Sequence, residues 1–130
     1  MIDIRDFNIS EFACELLEFI EDIPNYSLEI HIEDEDTYVN QFKYFNLYHE
    51  GCSSLFIECA DWERSEHKEY TVNELYEYLE NMQNYKLQRN KDISIGYTDS
   101  CDEFVENFQF EFIVDHENSK LIIKGNNIVL

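Results

Sequence analysis

The sequence predicts an α+β domain: a mostly antiparallel sheet with two main helices and one short helix, forming a single compact domain over residues 1–130. Three observations predict it. Residues 26–33 and 92–98 alternate apolar and polar side chains with the period of a half-buried strand. Helical spacing and capping pairs recur near residues 8, 71 and 100. Most neighbouring strands are separated by short turns, which favours antiparallel pairing with the helices on one face.

The elements follow in order. Residues 8–23 read as an amphipathic helix ended by Pro24, with Asn8 and Glu11 as its capping pair. Ile9, Phe12, Ala13, Leu16, Leu17, Ile20 and Ile23 form its apolar stripe. Glu11, Glu15, Glu18 and Asp22 draw an acidic line along another face. In residues 26–33, Tyr26, Leu28, Ile30 and Ile32 face one way, and Ser27, Glu29, His31 and Glu33 face the outer way. The strand runs into Glu33, Asp34, Glu35 and Asp36, four consecutive acids expected on an exposed turn.

Two further strands are expected at about 38–48 and 54–60, with Gly51 in the hairpin between them. Tyr38, Phe42 and Phe45 would also suit a helix. Residues 61–70 are polar and loop-like. Thr71 and Glu74 form a capping box, and Val72, Leu75, Leu79 and Met82 give the second helix a buried face to about residue 84. Glu74, Glu77 and Glu80 point away from that face. The only basic cluster follows, with Lys86, Arg89 and Lys91. After the strand at 92–98, Ser100 and Glu103 make a second capping box that predicts a short helix to about residue 107. Residues 109–115 and 120–125 read as a hairpin, and 128–130 as a terminal apolar segment.

The chain's charge bounds its function. It has 29 Asp and Glu against 9 Lys and Arg, a net charge of −20. A small domain ordinarily carries a charge of magnitude roughly 2–8, and self-repulsion at this level opposes compaction. Disorder is excluded, because 44% of residues are apolar and 15% aromatic, with one Pro and three Gly. The N-terminus reads as lacking a signal peptide, and no apolar run approaches the roughly 18 residues of a membrane span. Cys14, Cys52, Cys59 and Cys101 form no CxxC pair and read as reduced thiols of a cytoplasmic protein. Cys14 and Cys59 are expected as small core residues.

Catalytic constellations are thin. His49 and Cys52 lie three apart with Cys59 beyond, but zinc needs a second ligand pair that is missing. A Cys–His pairing such as Cys52 with His49 is the form nucleophilic chemistry would take, since such partners meet in space rather than in sequence. The 33–36 run lacks the Gly and the spacing of a calcium loop. Asp61 with Glu66, His67 and Lys68 supplies the residue types of a metal-dependent nuclease, but in a stretch without strand pattern. There is no G-x-S-x-G elbow and no Gly-rich phosphate loop. The expectation is a protein with no catalytic residues, no metal and no cofactor. A small metal-dependent enzyme is the less favoured alternative.

The acids point instead to a partner. Residues 1–36 hold 12 acids against the single Arg5. Carboxylates on successive helical turns lie roughly 5–6 Å apart, comparable with phosphates along a nucleic-acid strand. The sequence-level expectation is a non-catalytic inhibitor, monomer or homodimer, that mimics nucleic acid. Its partner would be a basic nucleic-acid-binding protein such as a nuclease or a CRISPR or restriction effector, with no direct contact to nucleic acid or membrane. Phage anti-defence and toxin immunity fit equally, and an acidic adaptor unrelated to nucleic acid is the alternative. The expected contact residues are Glu29, Glu33, Asp34, Glu35 and Asp36, with Glu11, Glu15, Glu18 and Asp22 or Glu74, Glu77 and Glu80 flanking.

Overall fold

Asn8 opens the first helix, α1 (Ile9–Ile20), with the capping box expected of it. Its Oδ1 accepts the Glu11 N–H at 2.8 Å, and Glu11 Oε1 accepts the Asn8 N–H at 3.1 Å. The computed structural model describes residues 5–6, 8–33, 38–48, 55–60, 67–85, 92–98 and 104–126. Ile9, Phe12, Ala13, Leu16 and Ile23 are buried, and Ile20 packs at their margin. Leu17 is instead 49% exposed, and Cys14 is also exposed rather than a core residue. Each residue turns the helix by roughly 100°, so both swing off a stripe centred on Ile9 and Leu16.

The second helix, α2 (Val72–Tyr85), starts from the Thr71–Glu74 box. Glu74 N–H donates to Thr71 Oγ1 at 3.2 Å, and Thr71 N–H donates to Glu74 Oε1 at 3.0 Å. Val72, Leu75 and Leu79 are fully buried, and α1 and α2 pack against each other. The Met82 side chain lies outside the described residues.

The strands form two mixed sheets rather than one. They are β1 (Arg5–Asp6), β2 (Ser27–Glu33), β3 (Val39–Phe42), β4 (Tyr44–Tyr48), β5 (Leu55–Ala60), β6 (Ile93–Thr98), β7 (Phe104–Asn107), β8 (Gln109–Asp115) and β9 (Lys120–Asn126). The first sheet has the order β1-β8-β9-β2-β3 and the second β4-β5-β6-β7. Among the described strands only β2/β9 and β5/β6 pair in parallel, so the pairing is mostly antiparallel as expected. The β8–β9 hairpin closes through Asp115, which accepts from the Asn118 N–H and amide, and through Ser119 at φ 54°.

Two expectations are corrected at the points where the chain changes sheets. The single strand expected at 38–48 is two strands broken at Lys43. Phe42 and Phe45 are both buried, and a spacing of three cannot keep two side chains on one side of a straight strand. The bend at Lys43 resets the alternation, which also explains the helix-like spacing of these aromatics. The short helix expected to reach residue 107 is, over Phe104–Asn107, the strand β7. Asn107 and Phe110 are again buried three apart, with Phe108 at the switch between sheets. The cap residues Ser100 and Glu103, Gly51 and the segment 128–130 lie outside the described residues.

A third correction concerns residues 67–71, which are not merely a polar loop. Phe45 and Lys68 exchange both backbone hydrogen bonds, at 3.1 and 3.2 Å. The Leu28 N–H donates to Tyr70 O at 2.8 Å, and the Val72 N–H donates to Tyr26 O at 3.0 Å. The segment therefore ties β4 of one sheet to β2 of the other.

One core unites both sheets and both helices. Ile30, Ile32, Phe110, Leu121 and Ile123 meet Phe45, Leu55, Ile57, Ile93 and Ile95 within it. Phe12 of α1 packs edge-on to Phe110 and tilted against Phe112, with ring centroids 5.9 and 5.3 Å apart. The sheets also touch through a polar clasp. Asn107 Oδ1 accepts the Glu33 N–H at 3.1 Å, and its Nδ2 donates to Glu33 O at 3.2 Å. No described helix is long and apolar enough to cross a membrane.

Candidate partner-binding surface

β2 is an interior strand of the first sheet, and this changes the standing of the acids on its outer face. Glu29 is only 6% exposed and accepts from Lys120 Nζ at 3.0 Å. His31 Nε2 lies 3.5 Å from the same carboxylate oxygen. On β8, Glu111 is as buried as Glu29 and faces Lys124 Nζ at 3.7 Å. Burial chiefly, with help from Lys120 and Lys124, holds His31 below its ordinary pKa against the pull of Glu29. Two carboxylates and two ammonium groups thus neutralise one another across β2, β9 and β8. Glu29 belongs to this internal network and presents little surface to a partner.

At the far end of β2, Glu33 is half-buried with its peptide group clasped by Asn107. Asp34, Glu35 and Asp36 lie outside the described residues. The helical acids divide in a similar way. Glu11 is drawn into the cap of α1, whereas Glu18 and Asp22 are exposed and Glu15 is half-buried on the same face. The last turn of α1 carries no basic residue.

On α2, Glu74 accepts from Lys68 Nζ at 3.1 Å as well as from the Thr71 N–H, and Lys68 first among these holds its pKa down. That ammonium also stands 4.5 Å over the Tyr70 ring. Glu77 is exposed and accepts from Asn73 Nδ2 at 3.2 Å. Glu80 accepts from the Tyr76 hydroxyl, and this hydrogen bond, foremost, pushes the phenol pKa up to about 12. Tyr76 and Glu80 lie one turn apart on α2, both half-buried. The structure therefore brings the exposed acids of the two helices onto packed neighbours. It separates them from Glu29 and pairs Glu74 with a cation.

The residue types singled out for catalysis do not converge where they are described. His67 is buried, with Nε2 2.8 Å from Glu58 Oε1, while its neighbour Lys68 is exposed and turned to Glu74. Asp61, Glu66, His49, Cys52 and Cys101 lie outside the described residues. Burial pushes the Cys59 thiol well above its ordinary pKa, which keeps it protonated and unreactive. Among the described residues no three His, Cys, Asp or Glu side chains are grouped to hold a metal ion.

Sequence reasoning missed a group of exposed apolar side chains. Tyr38, Val39 and Phe108 are 72%, 42% and 51% exposed. The available signal was the broken alternation at residue 108, between two runs that each read as regular. No family model, curated protein or solved structure matches the chain.

Proposed function

We propose that this protein is a non-catalytic cytoplasmic inhibitor that occupies the basic nucleic-acid-binding surface of a nuclease or of a CRISPR or restriction effector, acting as a nucleic-acid mimic. The observation that carries this reading is the distribution of the −20 charge. Glu29 and Glu111 of the first sheet are matched by Lys120 and Lys124, whereas Glu18, Asp22 and Glu77 stand exposed on the packed helices. Like charges on one helix face destabilise it by about 0.2–0.5 kcal/mol per pair, so such a face costs stability unless a partner uses it. A polyanionic substrate would be repelled by this surface, whereas a basic groove would be attracted and its encounter accelerated.

Tagged wild-type protein is used to capture partners from the native host, which are identified by mass spectrometry. The expected result is a nuclease or effector whose bound DNA or RNA is displaced stoichiometrically by the protein. A triple reversal, Glu18→Lys with Asp22→Lys and Glu77→Lys, should leave the fold intact and slow association, most strongly at low salt. Capture solely of proteins that bind no nucleic acid would overturn the reading in favour of an acidic adaptor.

A further inference from the structure

We infer that the outer face of the β8–β9 hairpin binds a second copy of this chain, related to the first by a two-fold axis lying along the strands. This contact does not depend on the inhibitor reading. On β8, Phe110, Phe112 and Val114 turn to the core, and Phe12 of α1 packs on the first two. Glu111, Ile113 and Asp115 alternate with them and so take the opposite face. The register sets Lys124, Ile122 and Lys120 directly across from these three on β9, with Leu121 and Ile123 turned to the core between them. The outer face therefore carries two columns, Glu–Ile–Asp on β8 and Lys–Ile–Lys on β9. At its centre Ile113 is 39% exposed and Ile122 half-buried.

Charge complementarity decides the occupant and its orientation. A two-fold dimer uses one patch twice, so the patch must complement itself. An axis along the strands, midway between β8 and β9, lays the acid column of each copy over the lysine column of the other. Glu111 then faces Lys124 of the second copy, and Asp115 faces its Lys120. Ile113 and Ile122 of the two copies meet between these pairs as an apolar centre of four side chains. An axis across the strands would instead set Glu111 over Asp115 and Lys124 over Lys120, acid on acid and base on base. Sheets packed face to face lie about 10 Å apart, a gap that a lysine and an opposing carboxylate side chain span together.

Within one chain the pairing on this face is incomplete. Lys124 Nζ stands 3.7 Å from Glu111 Oε1, too far for a hydrogen bond, although Glu111 is buried. In the dimer each Lys124 lies between two carboxylates, and the Glu111 and Lys124 side chains of both copies alternate in a ring of four. The net −20 of each chain opposes association. Salt screens that repulsion beyond about 8 Å at physiological strength, while the four charges of the two columns cancel. α1 lies behind the sheet, so Glu18 and Asp22 stay clear of the contact.

Sedimentation equilibrium of the full-length protein in about 0.15 M salt tests the proposal, with circular dichroism verifying the fold of each variant. The wild type should show a concentration-dependent monomer–dimer equilibrium, and amide NMR shifts on concentration should be largest at residues 111, 113, 122 and 124. Ile113→Asp places a charge in the apolar centre and should weaken dimerisation at least about tenfold. Glu111→Lys and Lys124→Glu each make the two columns alike in charge and should abolish it. An equimolar mixture of these two variants should restore a dimer, because every acid then meets a lysine across the axis. Ile113→Asp, at an exposed position, tests the face whatever Glu111→Lys does to folding. A chain that stays monomeric up to about 1 mM would overturn the proposal. So would a dimer that Ile113→Asp leaves unchanged, or folded Glu111→Lys and Lys124→Glu variants that do not associate when mixed.

Discussion

Gly125→Ala tests whether the clasp between the two sheets is as tight as its geometry implies. A Cβ at this position would lie 2.5 Å from Asn107 Oδ1, 2.7 Å from Asn107 Cβ and 2.8 Å from Ile95 Cδ1. None of these atoms can yield freely. Gly125 is in an interior strand, paired with Phe110 and Ile32, and Ile95 is fully buried. Asn107 could move only by releasing both hydrogen bonds to Glu33 in a place closed to water. Overpacking a core costs about 1–3 kcal/mol, and each lost hydrogen bond about 0.5–1.5 kcal/mol. The reduced freedom of the unfolded chain returns about 0.4–1 kcal/mol. A net destabilisation of about 1–5.5 kcal/mol follows, centred at about 3 kcal/mol, and the centre is equivalent at this chain length to roughly 10 °C in Tm.

Urea unfolding followed by circular dichroism measures the loss, and a cycle with Asn107→Ala locates it. Asn107→Ala removes both the obstructing oxygen and the bonds that pin residue 107. In that background Gly125→Ala should cost at least about 1 kcal/mol less than it does alone, a coupling expected only of residues in contact. A loss below about 0.5 kcal/mol for Gly125→Ala, or additivity of the two changes, would refute the clasp.

Three further outcomes are expected. Glu80→Gln should return the Tyr76 phenol from about 12 toward its ordinary value of 10.0, seen as one tyrosine moving earlier in an ultraviolet pH titration. Because that pKa is raised in the fold, the associated stability is present below pH 10 and lost as pH climbs toward about 12, and the variant should lose less over this window. His31 has the opposite sign: its folded pKa lies below 6.5, so its stability contribution is present above pH 6.5 and falls as pH drops toward the folded value. Lys120→Met should raise the His31 pKa in an NMR titration, since it removes a repelling charge and leaves Glu29 without its ammonium. Thr71→Ala should cost about 1 kcal/mol in urea unfolding, because the Glu74 N–H loses its acceptor at the start of α2.

The parts of the fold legible in the sequence were those governed by nearest neighbours. Both helix caps, at Asn8 and Thr71, depend on a side chain three residues away and appear as expected. So does the alternation of β2, whose even residues Leu28, Ile30 and Ile32 are buried. The division into two sheets was not legible, because it turns on where buried side chains fall three apart instead of two. Phe42 with Phe45, and Asn107 with Phe110, look like helical spacing until the chain is seen to bend between them. Ser100 and Glu103 carry a helix-start signature, yet Phe104–Asn107 pairs antiparallel with β6. Local propensity there loses to cross-strand pairing.

The candidate surface shows the same limit in its charges. Glu29 reads in the sequence as one of the outward acids of this segment, far along the chain from any lysine or arginine. Its cation, Lys120, is 91 residues away and arrives only through the parallel pairing of β2 with β9. The alternation correctly gave its face but could not say that the face belongs to an interior strand with lysines alongside. On a helix the prospects differ, since the neighbours that could neutralise Glu18 or Asp22 along their own face are three or four residues distant and can be read directly. None of Cys14, Glu15, Phe19, Glu21, Asn25 or Tyr26 is basic, and the last turn of α1 holds no cation. An excess of acid can thus be assigned to a helix face from sequence with more security than to a strand face. Sheet acids find partners through topology, whereas Glu18 and Asp22 meet no cation at helical spacing along their own face, and a surplus there is visible before the fold is known.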